Sequence, residues 1–212
     1  LENHLLTLEQ KALRLQMNPH FIFNVLNGIK AMAPTKPEKM NETVNSFATL
    51  LRETLVNSRK DSISLDQEIK TIRHYIEVER LMAEQPFEYK INVNTNLDAE
   101  EILIPPMLIQ PFVENAIRHG ILKGPRAGKL ILEFTNTDDI LKVTIIDNGV
   151  GIFSSQQQKP KTDHQSMALT VTKERLESIS GANALEISEI QLEDGSIGGT
   201  TIVFNIPLET DY

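Results

Sequence analysis

The hydrophobic period of this 212-residue chain changes once, near Pro86. That change limits the chain to a helical segment followed by a segment of strands and helices. Before it, apolar residues recur at helical spacing. Leu1, Leu5, Leu8, Ala12 and Leu15 form a stripe that suits a coiled coil or an ordinary amphipathic helix. Pro34 and Pro37 interrupt the pattern and mark the turn of a helical hairpin. Val44, Phe47, Leu50, Leu51 and Leu55 then share one face of a helix predicted from about Glu38 to Arg59. Ser64-Leu-Asp-Gln67 has the spacing of a capping box, so a further helix is predicted from there to about Leu81. Helices with one apolar side cannot bury it alone. A second copy of the chain completing a four-helix bundle is the simplest remedy.

After Pro86, Tyr89, Ile91 and Val93 alternate with polar residues, which predicts a strand over 87–94. A helix is predicted from about Met107 to His119, with Pro105 and Pro106 at its start, and another over Ala168 to Ser180. Strands are predicted over Leu130–Thr135, Leu141–Asp147, Leu185–Leu192 and Thr200–Pro207. The fold class is therefore α+β, with a mixed sheet covered on one face by helices. The predicted domains are 1–85 and 86–212.

Composition narrows the function. Aromatic residues are 5% and Trp is absent, so the core must be aliphatic. The net charge of −8 makes sequence-independent nucleic-acid binding a poor fit, because that needs clustered Lys and Arg. With no cysteine there are no disulfides or thiolate metal sites, as expected of a reducing compartment. No apolar run of about 20 residues exists to span a membrane. The sequence opens on Leu1 in mid-pattern, which reads as a piece of a longer protein.

Three short motifs in the second half carry candidate chemistry. Asn115 lies in Gln110-Pro-Phe-Val-Glu-Asn-Ala-Ile-Arg-His-Gly120. Its amide oxygen is a hard ligand suited to Mg²⁺, though a helix Asn also serves as a plain cap. Asp147-Asn-Gly-Val-Gly151 follows an apolar strand. There a carboxylate can accept a hydrogen bond from the exocyclic amine of adenine, and Gly149 and Gly151 let the backbone approach a flat ligand. The same run is also an ordinary tight turn. Gly198-Gly-Thr-Thr201 could line a pocket floor beside Asp147, or form a plain hairpin turn.

In this order and spacing, the three motifs resemble the nucleotide-binding domain shared by histidine kinases, DNA gyrase, Hsp90 and MutL. With Leu15-Gln-Met-Asn-Pro-His-Phe-Ile-Phe-Asn-Val-Leu-Asn27 and the Tyr-Ile-Glu-Val-Glu-Arg run ending at Arg80, the chain resembles the LytS/YehU-type sensor histidine kinases from about Leu15 to Leu208. The resemblance implies a dimeric helical bundle for phosphotransfer, followed by a GHKL (Bergerat) α/β sandwich that binds ATP. It implies His20 as phosphoacceptor. An imidazole has a lone pair free for attack at neutral pH. Asn24, one turn on, would position a water for dephosphorylating the partner regulator. Asn115 would bind Mg²⁺ and Asp147 would read adenine, with Gly149 and Gly151 shaping the pocket and Thr200 supporting the adenine contact. Glu114 would organise Mg²⁺ or water, and Arg118 and His119 would contact phosphates. A lid is expected from about Ile152 to Met167, with Ala168 and Leu169 at its end.

The sequence departs from the family pattern in three ways. The Gly-rich lid end is replaced by Ser166-Met-Ala-Leu169. Pro111 stands where related ATP hydrolases carry a catalytic Glu, which favours transfer to His20 over hydrolysis. Phe21 stands where many histidine kinases have an acid, leaving the base for the histidine unassigned. The implied partners are a second copy of the chain and a response regulator, in this family often one with a LytTR-type DNA-binding domain. The implied setting is the cytoplasmic part of a protein anchored in the inner membrane, below an upstream sensor. Two other readings compete: a catalytically weak nucleotide-binding scaffold of the same fold, and a free-standing ATPase.

Overall fold

The computed structural model describes residues 19–137, 139–151, 163–181 and 184–208, with the side chains of 19, 20 and 163–169 outside that description. The Leu1–Leu15 stripe, the backbone before Pro19 and the lid up to residue 162 lie outside the described residues, as do the side chains of the Ser166–Leu169 run. The chain divides into two compact units. One takes the residues up to Glu84 plus Pro105–Met107, and the other takes Gln85–Ile104 and the chain from Leu108. Among the described residues no helix is long and apolar enough to cross a membrane.

The first unit holds helices α1 (Pro19–Met32), α2 (Pro37–Asn57) and α3 (Leu65–Met82), with a two-residue extended stretch β1 (Ile63–Ser64). Pro37 sits in the first turn of α2, where its missing N–H costs nothing. Ser64 caps α3 by accepting the Gln67 backbone N–H at 3.2 Å. The Gln67 Oε1 accepts from Lys60 Nζ at 3.3 Å. The core is built on Phe21 and Val25 of α1, Phe47 and Leu50 of α2, and Ile69, Ile72, Tyr75 and Ile76 of α3.

The apolar face predicted for α2 divides in two. Thr43, Phe47, Leu50, Thr54 and Asn57 form the buried face. Val44 and Leu55 are 41% and 47% exposed, and Leu51 is half-buried. At 3.6 residues per turn the Val44–Leu51–Leu55 line runs roughly 100° round the helix from the buried face. One neighbouring helix cannot cover both. Asn57 joins the buried face because Nδ2 donates to Thr71 Oγ1 at 3.2 Å, which satisfies two interior polar groups at once.

In the second unit a five-stranded sheet runs in the order β2-β4-β5-β7-β6. Its strands are β2 (Glu88–Asn94), β4 (Lys129–Thr137), β5 (Ile140–Asp147), β6 (Leu185–Gln191) and β7 (Ile197–Pro207). A short β3 (Leu103–Ile104) lies apart from this sheet. The β2–β4 pair is parallel and the other pairs are antiparallel. Alternation puts Leu130, Leu132 and Phe134 of β4 on one face with Val143 and Ile145 of β5 and Ile202 and Phe204 of β7, all buried. Helices α4 (Gln110–Asn115) and α5 (Asp163–Ser180) pack on this sheet, and Phe112 meets Phe204 with ring centroids 4.8 Å apart.

The single helix predicted over Met107–His119 is corrected in two places. It starts later, at Gln110, because Met107 has φ 56° and a left-handed residue cannot begin a right-handed helix. Pro111, not Pro105 or Pro106, occupies the first turn. Then at Ala116 the helix widens into a π turn, Ala116–Gly120, and tightens into a 3-10 turn, Ile121–Lys123. Single π turns inside helices recur at functional sites.

Candidate functional site

The strand-end carboxylate is the centre of the second unit's site. Asp147 closes β5 on the buried face, in one cross-strand row with Leu130 on β4, Thr200 on β7 and Glu189 on β6. It is 3% exposed. Oδ1 accepts the Gly149 backbone N–H at 2.8 Å. Burial pushes its carboxyl up from 3.8 to about 6, and the backbone N–H groups of Gly149 and Thr200 pull it partly back. Thr200 thus reaches Asp147 through its backbone N–H.

What holds this carboxylate is backbone packed too tightly for side chains. A Cβ on Gly120 would stand 2.7 Å from Asp147 Oδ1, and one on Gly149 only 2.2 Å from the Gly120 carbonyl carbon. One on Gly199 would stand 1.9 Å from the Asp147 carbonyl oxygen, and Gly199 has φ +145°. The turn after β5 therefore seats directly on the end of the π turn, with Val150 N–H donating to Gly120 O at 3.4 Å. Gly151 has φ +84°, and a Cβ there would meet Glu189 Oε1 at 2.5 Å. Of these glycines the sequence motifs point to Gly149 and Gly151. Gly120 and Gly199 lie inside the same motifs, but the sequence does not mark them as pocket formers. The same holds for Asn148. Its Oδ1 accepts from Lys129 N at 2.6 Å and its Nδ2 donates to Ala127 O at 2.9 Å, tying the loop before β4 to the Asp147 turn.

On α4 and the π turn, Phe112, Val113, Ala116 and Ile117 are buried against the sheet. Glu114, Asn115, Arg118 and His119 form the half-buried flank. Arg118 Nη1 lies 3.6 Å from Glu114 Oε1, so the guanidinium is held one turn from Asn115. His119 Nδ1 is 3.1 Å from Lys123 Nζ. Among the described residues no group of three or more His, Cys, Asp or Glu is placed to hold a metal ion. A Mg²⁺ at Asn115 would therefore take most of its ligands from phosphate oxygens and water, as Mg²⁺ commonly does beside a nucleotide. The glycine cradle, the dehydrated acceptor and the amide and cationic flank fit a purine nucleotide and its phosphates.

In the first unit, the backbone of His20 belongs to α1. Asn24 and Asn27 follow His20 at four- and seven-residue spacing, on one line of that helix. Asn24 is half-buried. Phe21, next to His20, is 2% exposed and packs against Phe47 and Tyr75.

Residues 8–87 match the histidine kinase family model, and residues 106–210 match the model for histidine kinase-, DNA gyrase B- and HSP90-like ATPases. The sensor protein LytS of Bacillus subtilis is 30% identical over 207 residues, which is 95% of this chain and 34% of that protein. The sensor histidine kinase/phosphatase LytS of Staphylococcus aureus is 30% identical over 208 residues, again 95% of this chain and 34% of that protein. The chain thus spans about a third of the length of these relatives. Among solved structures, a mycobacterial sensor histidine kinase, MprB, overlays with a TM-score of 0.48 at 13% identity, covering 71% of this chain and 98% of that one. Two family models that follow one another along nearly the whole sequence, together with LytS relatives aligned across both, place the chain in the LytS-type sensor histidine kinase family.

Proposed function

We propose that this chain is the catalytic core of a two-component sensor histidine kinase, which moves the γ-phosphoryl group of ATP to His20 and then to an aspartate of a response regulator. The observation that carries this reading is the dehydrated Asp147 carboxylate in its glycine cradle, in the same chain as a helix bearing His20. Asp147 accepts a hydrogen bond from the adenine amine. Asn115 offers its amide oxygen to Mg²⁺ on the phosphates, and Glu114 orders the metal's water. Arg118 and His119 neutralise phosphate charge. In the first step an imidazole nitrogen of His20 forms a bond to the γ-phosphorus, the bond to the bridging oxygen breaks, and ADP leaves. Positioning and charge neutralisation dominate such a step. The backbone of Ala168 and Leu169 lies within α5, just past the end expected for the lid at Met167. Asn24 positions a water for a second duty, dephosphorylation of the regulator, in line with the kinase/phosphatase designation of the Staphylococcus aureus relative.

The working form is a homodimer. Its support is the apolar line Val44–Leu51–Leu55 on α2, together with Phe23 (64% exposed) and Leu26 (49% exposed) on α1. Residues 1–85 serve dimerisation and phosphotransfer, and residues 86–212 bind ATP. The regulator carries a LytTR-type DNA-binding domain, and the chain works on the cytoplasmic side of a membrane-anchored sensor.

Incubation with γ-labelled ATP and Mg²⁺ tests the reading. Acid-labile label is expected on the wild type, absent in His20→Gln and lowered about a hundredfold or more in Asn115→Ala. A wild-type protein that binds ATP yet takes no label would instead be the catalytically weak scaffold.

A further inference from the structure

A buried acid in the first unit lies outside the groups assigned above to the phosphoryl chemistry. Glu79, on α3, is 3% exposed. A carboxylate removed from water is costly unless it is hydrogen-bonded. Its Oε1 accepts from Tyr75 Oη at 2.8 Å, one helical turn earlier, and Tyr75 is itself 1% exposed. The Tyr75 ring packs against Phe21 with centroids 5.0 Å apart and planes at 43°. Phe21 also meets Phe47 edge-on at 6.0 Å and 71°. A hydroxyl anchored to a buried acid thus fixes the plane of Tyr75. Tyr75 and Phe47 together hold the ring of Phe21, the residue that follows His20.

The Tyr75 hydroxyl bond adds a directional anchor to the ring contacts around Phe21. At a side-chain reach of about 5 Å from the axis of α1, a roll of roughly 20° carries a side-chain tip almost 2 Å. A misplacement of about 1 Å can cost a hundredfold in rate. The geometry points to Tyr75 and Glu79 as positioning residues for phosphoryl transfer: their hydrogen bond, acting through the ring of Phe21, sets the azimuth of α1 at the backbone of His20. This rests on His20 being the phosphoacceptor.

The test compares Tyr75→Phe/Glu79→Leu with Glu79→Gln. The double variant removes the donor and the acceptor of this hydrogen bond together and puts apolar groups in their place. Urea unfolding, affinity for a fluorescent ATP analogue, and kcat and KM(ATP) for His20 labelling are measured on each. The double variant is expected to keep its unfolding midpoint, nucleotide affinity and KM, while kcat falls about tenfold or more. Glu79→Gln, which can still accept from Tyr75, is expected to keep at least about half of the wild-type kcat. A double variant with wild-type kcat overturns the positioning role and leaves the kinase reading intact. Loss of midpoint and nucleotide affinity in step with kcat, in both variants, also overturns it, because the pair would then serve folding alone. A wild type without label on His20 removes the kinase reading and the positioning role with it.

Discussion

In the first unit Phe23, Leu26, Val44 and Leu55 stand against solvent, while in the second a Cβ on Gly120, Gly149 or Gly199 would stand within 3 Å of another group's atoms. The two regions hold their candidate groups by different physics. The helical unit holds α1 by periodicity and by side-chain packing around Phe21, and it leaves apolar surface uncovered. The sheet unit sets Asp147 by backbone pressed on backbone. Side chains can shift rotamer to absorb an error, and backbone cannot. The second unit should therefore be intolerant of added atoms where the first is forgiving.

The sharpest contrast is between two glycines given the same methyl group. Gly149→Ala puts a Cβ 2.2 Å from the Gly120 carbonyl carbon, and no side chain there can move aside. Expected is a loss of about 3 kcal/mol or more and of nucleotide binding. In Gly28→Ala of α1 the new Cβ meets the end of the Met82 side chain at 3.3 Å, which can swing away. That change is expected to be neutral or stabilising by up to about 1 kcal/mol, as Ala in a helix should be. Urea midpoints of both variants check this, and equal losses would break the contrast.

A smaller effect is expected on the uncovered face. Val44→Glu with Leu55→Glu alters exposed positions, so each protomer should keep its fold within about 0.5 kcal/mol for each substitution. In a dimer both carboxylates would be buried without partners, and association is expected to weaken about a hundredfold. Sedimentation across a concentration series measures it. An unchanged dimer mass would show that this line is not the interface.

The smallest effect is pH. In the folded chain Asp147 is raised from 3.8 to about 6, so between these values the folded state binds more protons than the unfolded. Its contribution to stability is therefore fully present below about 3.8 and is lost as pH rises through about 6. Going from pH 7.5 to pH 5 should add about 1 kcal/mol to wild-type stability relative to Asp147→Asn. Nucleotide binding should run the other way. A protonated carboxyl loses its acceptor charge, so affinity should fall about tenfold by pH 5, and this acid limb should be absent in Asp147→Asn. Fluorescence titrations and urea midpoints at both pH values read the two trends.

Much of the architecture was legible because it depends on local rules. The alternation of Tyr89, Ile91 and Val93, the Ser64–Gln67 spacing and the long apolar strands each reflect a backbone geometry repeated over a few residues. The legible fraction falls where two distant segments meet. The α2 stripe read as one face because sequence lists apolar residues without saying how many neighbours a helix has. The π turn at Ala116 and the left-handed Met107 follow from how α4 must seat on the sheet, and no local preference announces them. Gly120 and Gly199 looked like turn residues, since nothing near them in the chain reveals that Asp147 lies against both.

The sequence by itself determined the order of the long helices and strands and the list of chemically able residues, because hydrophobic period and side-chain chemistry are properties of short windows. Tertiary structure alone decided that Asp147 is buried and reached by the backbone N–H of Thr200, that Gly120 and Gly199 must lack a side chain, and that Phe21 is clamped by Tyr75 and Phe47. Each of these depends on atoms tens of residues apart in the chain coming within a few ångströms. Only the packed chain sets that distance.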